Sequence, residues 1–219
     1  MSQKYTTILF DLDGTLTDPA LGITNAVMHA LEYYNIHVRE RSELFKFIGP
    51  PLIDSFMKYY DFDEDKAREA VVKYREYFST IGLFENEVYP GIIDMLKELK
   101  AAGRKIVLAT SKPDVFSIKI LKHFVLYEYF DFCACSTMDE TRTKKTEVIE
   151  YGLQNIEEKD KSKILMIGDR EHDIFGASNC GLDSVGVLYG YGNQKEFEDA
   201  GATYIVESVE ALKKFLLEN

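Results

Sequence analysis

The chain has 219 residues, 46% hydrophobic and 29% charged, enough for one large α/β domain or for a core domain with a smaller accessory one. Its formal net charge of −11 repels polyanions and so argues against a nucleic-acid polymer as partner, while a local cationic pocket could still hold a small phosphorylated metabolite. No stretch reaches the length of a membrane span. The early apolar run Ile8-Leu9-Phe10 is too short for a signal-peptide core, and the three cysteines suit a reducing compartment, so a cytoplasmic protein is expected.

Tyr5 to Phe10 reads as a short buried strand that ends in the polar turn Asp11-Leu12-Asp13-Gly14-Thr15. A helical region follows, to about Phe84. Its first helix runs from roughly Pro19 to Tyr34, with Leu21, Ala26, Ala30 and Leu31 near helical spacing. Gly49-Pro50-Pro51 breaks the pattern, and Leu52, Phe56 and Tyr59 resume it. Asp63 is placed to cap a helix that aligns Ala67, Ala70, Val71, Tyr74 and Phe78 on one face. No clear strand is predicted here.

After Pro90 the pattern changes. A helix bounded by Pro90 and Gly103 carries Ile92, Leu96 and Leu99. Then come the strand Lys105 to Ala109, a helix through Ile118, Leu121 and Phe124, and a strand from Phe130 to Cys135. Cys133 and Cys135 share one side of that strand, where core packing explains them better than a redox or metal pair. The series continues with a helix near Lys145 to Leu153, the strand Ile164 to Ile167, a helix near Asp173 to Asn179 and the strand Ser184 to Leu188. A short helix, a strand near Tyr204 to Val206 and a C-terminal helix finish it. Alternating strands and helices predict a parallel sheet covered on both faces. The helical region interrupts that alternation after the first strand and is too long for a βα loop, so it reads as an insertion. The expected division is residues 1–16 and 86–219 as the core domain and 17–85 as an α-helical cap.

Ligands of an open parallel sheet bind beyond the carboxyl ends of its strands. Three polar clusters follow strands here: Asp11 and Asp13, then Thr110-Ser111-Lys112, then Gly168-Asp169-Arg170-Glu171-His172-Asp173. Carboxylates converging at one edge repel one another unless a cation intervenes, and an all-oxygen anionic site suits Mg2+.

Phe10-Asp11-Leu12-Asp13-Gly14-Thr15-Leu16 resembles the first motif of the haloacid dehalogenase superfamily in its phosphatase form. Thr110 resembles the second motif, a lysine near 145 the third, and Gly168-Asp169 with Asp173 the fourth. The resemblance covers essentially the whole chain. It implies a Rossmann-like parallel-sheet α/β core with an inserted C1-type helical cap, and a Mg2+-dependent phosphatase. On that resemblance Asp11 would attack phosphorus to form an aspartyl-phosphate, and Asp13 would act as acid and then base. The metal would be held by Asp11, the backbone carbonyl of Asp13, Asp169 and, directly or through water, Asp173. Thr110, with Ser111 and Gly14 beside it, would bind the substrate phosphate, and Gly14 would also permit the sharp turn. Lys144 and Lys145 are adjacent and only one can point inward. The family pattern favours Lys145 as the charge-neutralising group.

Asp13 argues against a dehalogenase, which needs no proton donor there. The chain looks closest to the phosphoglycolate phosphatase group. Phe47-Ile48-Gly49-Pro50-Pro51-Leu52, Gly168 to Ile174 and Gly186 to Gly192 resemble its 5′-nucleotidase branch, the first of these as a specificity loop. Pyrophosphatase and sugar phosphomutase are the alternatives within the superfamily. A non-enzymatic phosphate-binding module is disfavoured because no catalytic group is missing. Arg170 and His172 are left as either substrate or cap contacts or solvated loop residues, and Lys112, which resembles a position near the phosphate site, as that or as a residue of a helix start. The aromatic residues Tyr33, Tyr34, Tyr59 and Tyr60 are expected to pack rather than to stack on a base. Monomer and homodimer both stay open.

Overall fold

The structure, a computed structural model, describes residues 4–139 and 141–219. In chain order the elements are β1 (Thr7–Phe10), β2 (Thr17–Asp18), α1 (Ala20–Tyr33), a 3-10 segment at Arg41–Phe47, α2 (Leu52–Tyr60), α3 (Glu64–Tyr77) with a wider π turn at Phe78–Gly82, and β3 (Glu87–Val88). They continue as α4 (Ile92–Ala101), β4 (Lys105–Pro113), α5 (Asp114–His123), β5 (Phe132–Ser136), α6 (Lys145–Gln154), β6 (Ile164–Gly168), α7 (Glu171–Cys180), β7 (Asp183–Val187), α8 (Gln194–Ala200), β8 (Tyr204–Val206) and α9 (Val209–Glu218). Contacts divide them into two compact units, Met1–Thr17 with Val88–Asn219, and Asp18–Glu87. The chain passes between the units at β2 and β3, which pair as a two-stranded sheet.

The first unit is built on six parallel strands in the order β5-β4-β1-β6-β7-β8. Both faces are apolar because the strands alternate apolar residues in both directions. On one face Leu9, Val107, Ala109, Ala134, Ile164 and Met166 form a buried cluster with Val148 and Ile149 of α6 and Ala177 and Cys180 of α7. On the other, Ile8, Phe10, Ile106, Leu108, Leu165 and Ile167 are wholly buried, and α4 lies against β4 and α9. The fold agrees with the α/β parallel-sheet architecture expected from the sequence. Cys135 is buried and Cys133 half-buried, both as free thiols, and burial pushes them up to about 12 and about 11. Burial thus disfavours the thiolate form that reacts.

The second unit is helical. α3 starts at Asp63, whose carboxylate accepts the Lys66 N–H at 2.8 Å. Ala26, Val27, Ala30 and Leu31 of α1 and Ala67, Ala70 and Val71 of α3 make its core. Phe47 is buried with its ring 5.1 Å from Phe56, 5.7 Å from Tyr59 and 6.0 Å from Tyr60. Ile48 is equally buried. The Phe47-to-Leu52 segment therefore starts as core of this unit, and its turn falls at Gly49, with φ of 102°. Tyr33 and Tyr34 pack edge to face at 5.0 Å, and Tyr34 meets Phe62 at 5.0 Å. All four tyrosines take part in ring packing within the unit, as expected.

Two differences from the sequence reading stand out. β2 and β3 are two-residue strands, too short to leave a period-2 pattern. β4 runs on through Pro113, past the expected end at Ala109. The extension is possible because its pairing with β5 slips. Thr110 faces Cys135 and Pro113 faces Ser136, so Ser111 and Lys112 bulge out of register.

Candidate active site

The site forms at the carboxyl ends of β1, β4 and β6, where β1 has a strand on each side and the chain order reverses. Asp11 is the first residue past β1, and its N–H donates to the Ile167 carbonyl at 2.9 Å, which ties the loop to β6. Asp169 is the first residue past β6. Asp173 is the third residue of α7, and its carboxylate turns back to accept the Arg170 N–H at 3.2 Å. Asp11, Asp169 and Asp173 are all buried, and one oxygen from each lies within 4.8 Å of the others.

Lys145, the first residue of α6, enters this group from the side. Its Nζ lies 2.7 Å from Asp11 Oδ1 and 2.8 Å from Asp173 Oδ1, and donates to the Ala109 carbonyl at 3.0 Å. Burial alone would lower its pKa, but the charges of Asp11 and Asp173 outweigh that and raise it, so it stays an ammonium. Lys144 next to it is exposed at the helix N-cap, with its backbone N–H donating to Glu147 at 3.0 Å. Of the two lysines only Lys145 enters the carboxylate group.

Asp13 turns elsewhere. Its Oδ2 lies 2.5 Å from Lys112 Nζ, and both side chains are largely buried. Thr110 is buried and its Oγ1 accepts the Lys112 N–H at 3.2 Å, which leaves the hydroxyl proton free to donate into the site. Ser111 is half-buried on the bulge. Gly14 has φ of 78°, and a Cβ there would run into the Asp169 carboxylate. Its N–H is already engaged by the Thr17 carbonyl at 2.7 Å, so it provides room rather than a donor.

Four carboxylates, Asp11, Asp13, Asp169 and Asp173, stand against the ammoniums of Lys112 and Lys145. Carboxylates outnumber the cationic side chains, so the site as a whole is acidic. Asp169 Oδ1 is buried with no hydrogen-bond partner, while its Oδ2 accepts the Tyr191 N–H at 2.8 Å. Burial and the charges of Asp173 and Asp11 hold the Asp169 carboxyl well above the usual range. Burial, opposed by Lys145, pushes Asp173 up to about 6. An oxygen-only cluster in that condition fits a hard cation such as Mg2+, which would favour the ionised forms.

The sequence reading missed what encloses Asp169. Gly190, Tyr191 and Gly192, between β7 and α8, run directly against it: a Cβ at Gly190 would collide with the Asp169 side chain and with the Gly14 carbonyl. The closest sequence signal was the glycine spacing in Gly186 to Gly192. Tyr189 is half-buried beside it, and its hydroxyl donates to the Thr15 carbonyl at 3.0 Å. Arg170 is turned to Glu196, 2.9 Å away, and His172 is exposed.

The model of the haloacid dehalogenase-like hydrolase family matches residues 8–187, a span that holds Asp11, Asp13, Thr110, Lys112, Lys145, Asp169 and Asp173. The chain belongs to this family. It is 44% identical over 213 residues to a 5′-nucleotidase of Pseudomonas aeruginosa, covering 97% of this chain and 96% of that protein. It is 35% identical over 199 residues to the tyrosine-protein kinase PtkA of Mycobacterium tuberculosis, covering 91% of this chain and 67% of PtkA. The crystal structure of a predicted phosphatase from Clostridium acetobutylicum superposes with a TM-score of 0.94 at 49% identity over the whole of both chains. Family and fold agree with the resemblance seen in the sequence. No helix among the described residues is long and apolar enough to cross a membrane.

Proposed function

We propose that this chain is a Mg2+-dependent phosphomonoesterase that works through an aspartyl-phosphate on Asp11. The observation that carries the reading is the division of the carboxylates: Asp11 sits with Asp169 and Asp173 around Lys145, while Asp13, two residues on, stands apart on Lys112. A nucleophile and an acid–base group need different surroundings to hold different roles. Asp11 would attack phosphorus in line, and Lys145 would hold its carboxylate and offset the charge that builds on the phosphoryl oxygens. Thr110 would donate its hydroxyl to one of those oxygens, with Ser111 beside it. Asp13 would give a proton to the leaving oxygen and later take one from the water that opens the intermediate. Asp11, Asp169, Asp173 and the Asp13 carbonyl would hold Mg2+, which would lessen the repulsion between carboxylate and phosphate.

For substrate class the 5′-nucleotidase relative supports a nucleoside monophosphate. The free thiols of Cys133, Cys135 and Cys180 support a reducing, cytoplasmic setting. A screen of purified protein with Mg2+ over nucleoside monophosphates, phosphoglycolate, pyrophosphate and sugar phosphates tests both levels. Preferential release of phosphate from a nucleotide, abolished by excess chelator, is the expected result. Turnover that persists in chelator refutes the metal assignment. Preference for phosphoglycolate or pyrophosphate, or isomerisation of a sugar phosphate without phosphate release, refutes the nucleotide assignment.

A further inference from the structure

The geometry points to Lys112 as a positioning residue for Asp13, a clamp that aims its carboxylate at the leaving oxygen. This rests on the acid–base assignment of Asp13 proposed above. Lys112 Nζ lies 2.5 Å from Asp13 Oδ2, and the two side chains are 7% and 12% exposed. An ordinary surface lysine keeps its stem free, because holding it still costs rotamer entropy. Here the residue is tied at both backbone groups as well. Its N–H donates to Thr110 Oγ1 at 3.2 Å, and its carbonyl accepts the Ser117 hydroxyl at 3.2 Å. The out-of-register bulge at Ser111 and Lys112 breaks the strand's regular alternation at this point. A bulge beside a functional loop commonly serves to re-aim a side chain. The same bulge ties the two jobs together, since Thr110, proposed to hold the phosphate, is the residue that fixes the Lys112 backbone.

Asp13 has no comparable tether to its carboxylate from its own loop. Its Oδ1 is buried without a hydrogen-bond partner, so the Lys112 contact at Oδ2 orients the group and leaves Oδ1 uncommitted. Lys112 itself then touches neither phosphate nor metal in this role. It acts only through Asp13.

The test compares two esters that differ in their need for an acid. An alkyl phosphate leaves as a poor alkoxide and needs a proton. p-Nitrophenyl phosphate leaves as a stable phenolate and does not. Lys112→Met keeps the buried stem and removes the charge. The readout is kcat/KM, which covers transfer of the phosphoryl group to Asp11 and not the later hydrolysis in which Asp13 is the base. General acid catalysis contributes about 10²–10⁴-fold, so losing its aim is expected to lower kcat/KM on the alkyl ester by about tenfold or more, with little change on the aryl ester. Lys112→Arg should recover part of the loss. In an Asp13→Asn background, Lys112→Met should have no further effect, because the two residues form one unit. Equal loss on both esters, no loss on either, or an added loss in the Asp13→Asn background overturns the clamp. Asp13→Asn measured alone separates the two layers. If it lowers kcat/KM on both esters equally, the acid assignment fails and takes the clamp with it. If it spares the aryl ester while Lys112→Met does not, only the clamp fails. Matching melting temperatures of the variants exclude misfolding as the cause.

Discussion

Replacing Lys145 with alanine removes the ammonium that lies 2.7 Å from Asp11 and 2.8 Å from Asp173. The side chain is 5% exposed, so water reaches the vacated space poorly and the carboxylates lose most of their screening. Removing one partner of a buried pair costs about 3–5 kcal/mol, because the other is left charged and unpaired. Two carboxylates lose their partner here, but both can take up protons, so about 3 kcal/mol of folding stability is the expected loss without metal. Binding of Mg2+ to the now more negative cluster should restore part of it. Turnover should not recover. Losing a preorganised charge at the transition state costs about 10²–10³ in kcat, or about 2.7–4 kcal/mol. Lys144→Ala is the internal control. It is exposed, its backbone contact to Glu147 survives, and its effect should stay within about 0.5 kcal/mol. Urea unfolding with chelator and with Mg2+, beside steady-state rates on p-nitrophenyl phosphate, reads both quantities. A Lys145→Ala protein within about threefold of wild-type turnover, or a Lys144→Ala protein that is the slower of the two, refutes the reasoning.

Two other substitutions probe the site from different directions. Asp11→Asn keeps the shape and the backbone bond to Ile167 but removes the attacking charge, so turnover should vanish while the melting temperature changes little; retained burst or steady-state phosphate release would remove Asp11 as nucleophile. Gly190→Ala forces a methyl group into Asp169 and the Gly14 carbonyl, so Mg2+ affinity measured by calorimetry should fall about 10–100-fold, and an unchanged affinity would show that Asp169 is not a ligand.

The parts of this molecule that were legible in the sequence are those written in adjacent residues. Asp11 and Asp13 stand in one turn after an apolar strand, and Gly168 to Asp173 likewise follow β6, so strand pattern and motif reinforced each other. Lys145 could be preferred over Lys144 by its motif, and the structure buries only the former. What was not legible depends on residues far apart in the chain. The Lys112–Asp13 contact joins positions 99 residues apart, and nothing local distinguishes Lys112 from a lysine at a helix start. The approach of Gly190 to Asp169 is equally remote. The bulge that carries Lys112 was hidden because the polar run Thr110-Ser111-Lys112 ends the apolar strand pattern at Ala109, whereas a slipped register lets the strand continue through Pro113. The start of α7 was placed late, since Arg170 is a poor N-cap by propensity. The job falls to Asp173, three residues inside the helix, which accepts the Arg170 N–H.

The pairing of β2 with β3 has a consequence for engineering. Residues 18–87 leave and rejoin the parallel-sheet unit through two strands that lie side by side. An insert whose ends are neighbours can be exchanged without stretching its host, because a new segment need only close the same short gap. Every side chain proposed for the chemistry, from Asp11 to Asp173, lies outside that segment. A helical unit from a relative, joined at Thr17 and Val88, would therefore meet an intact set of reacting groups. Such chimaeras would separate the residues that choose a molecule from those that break its bond.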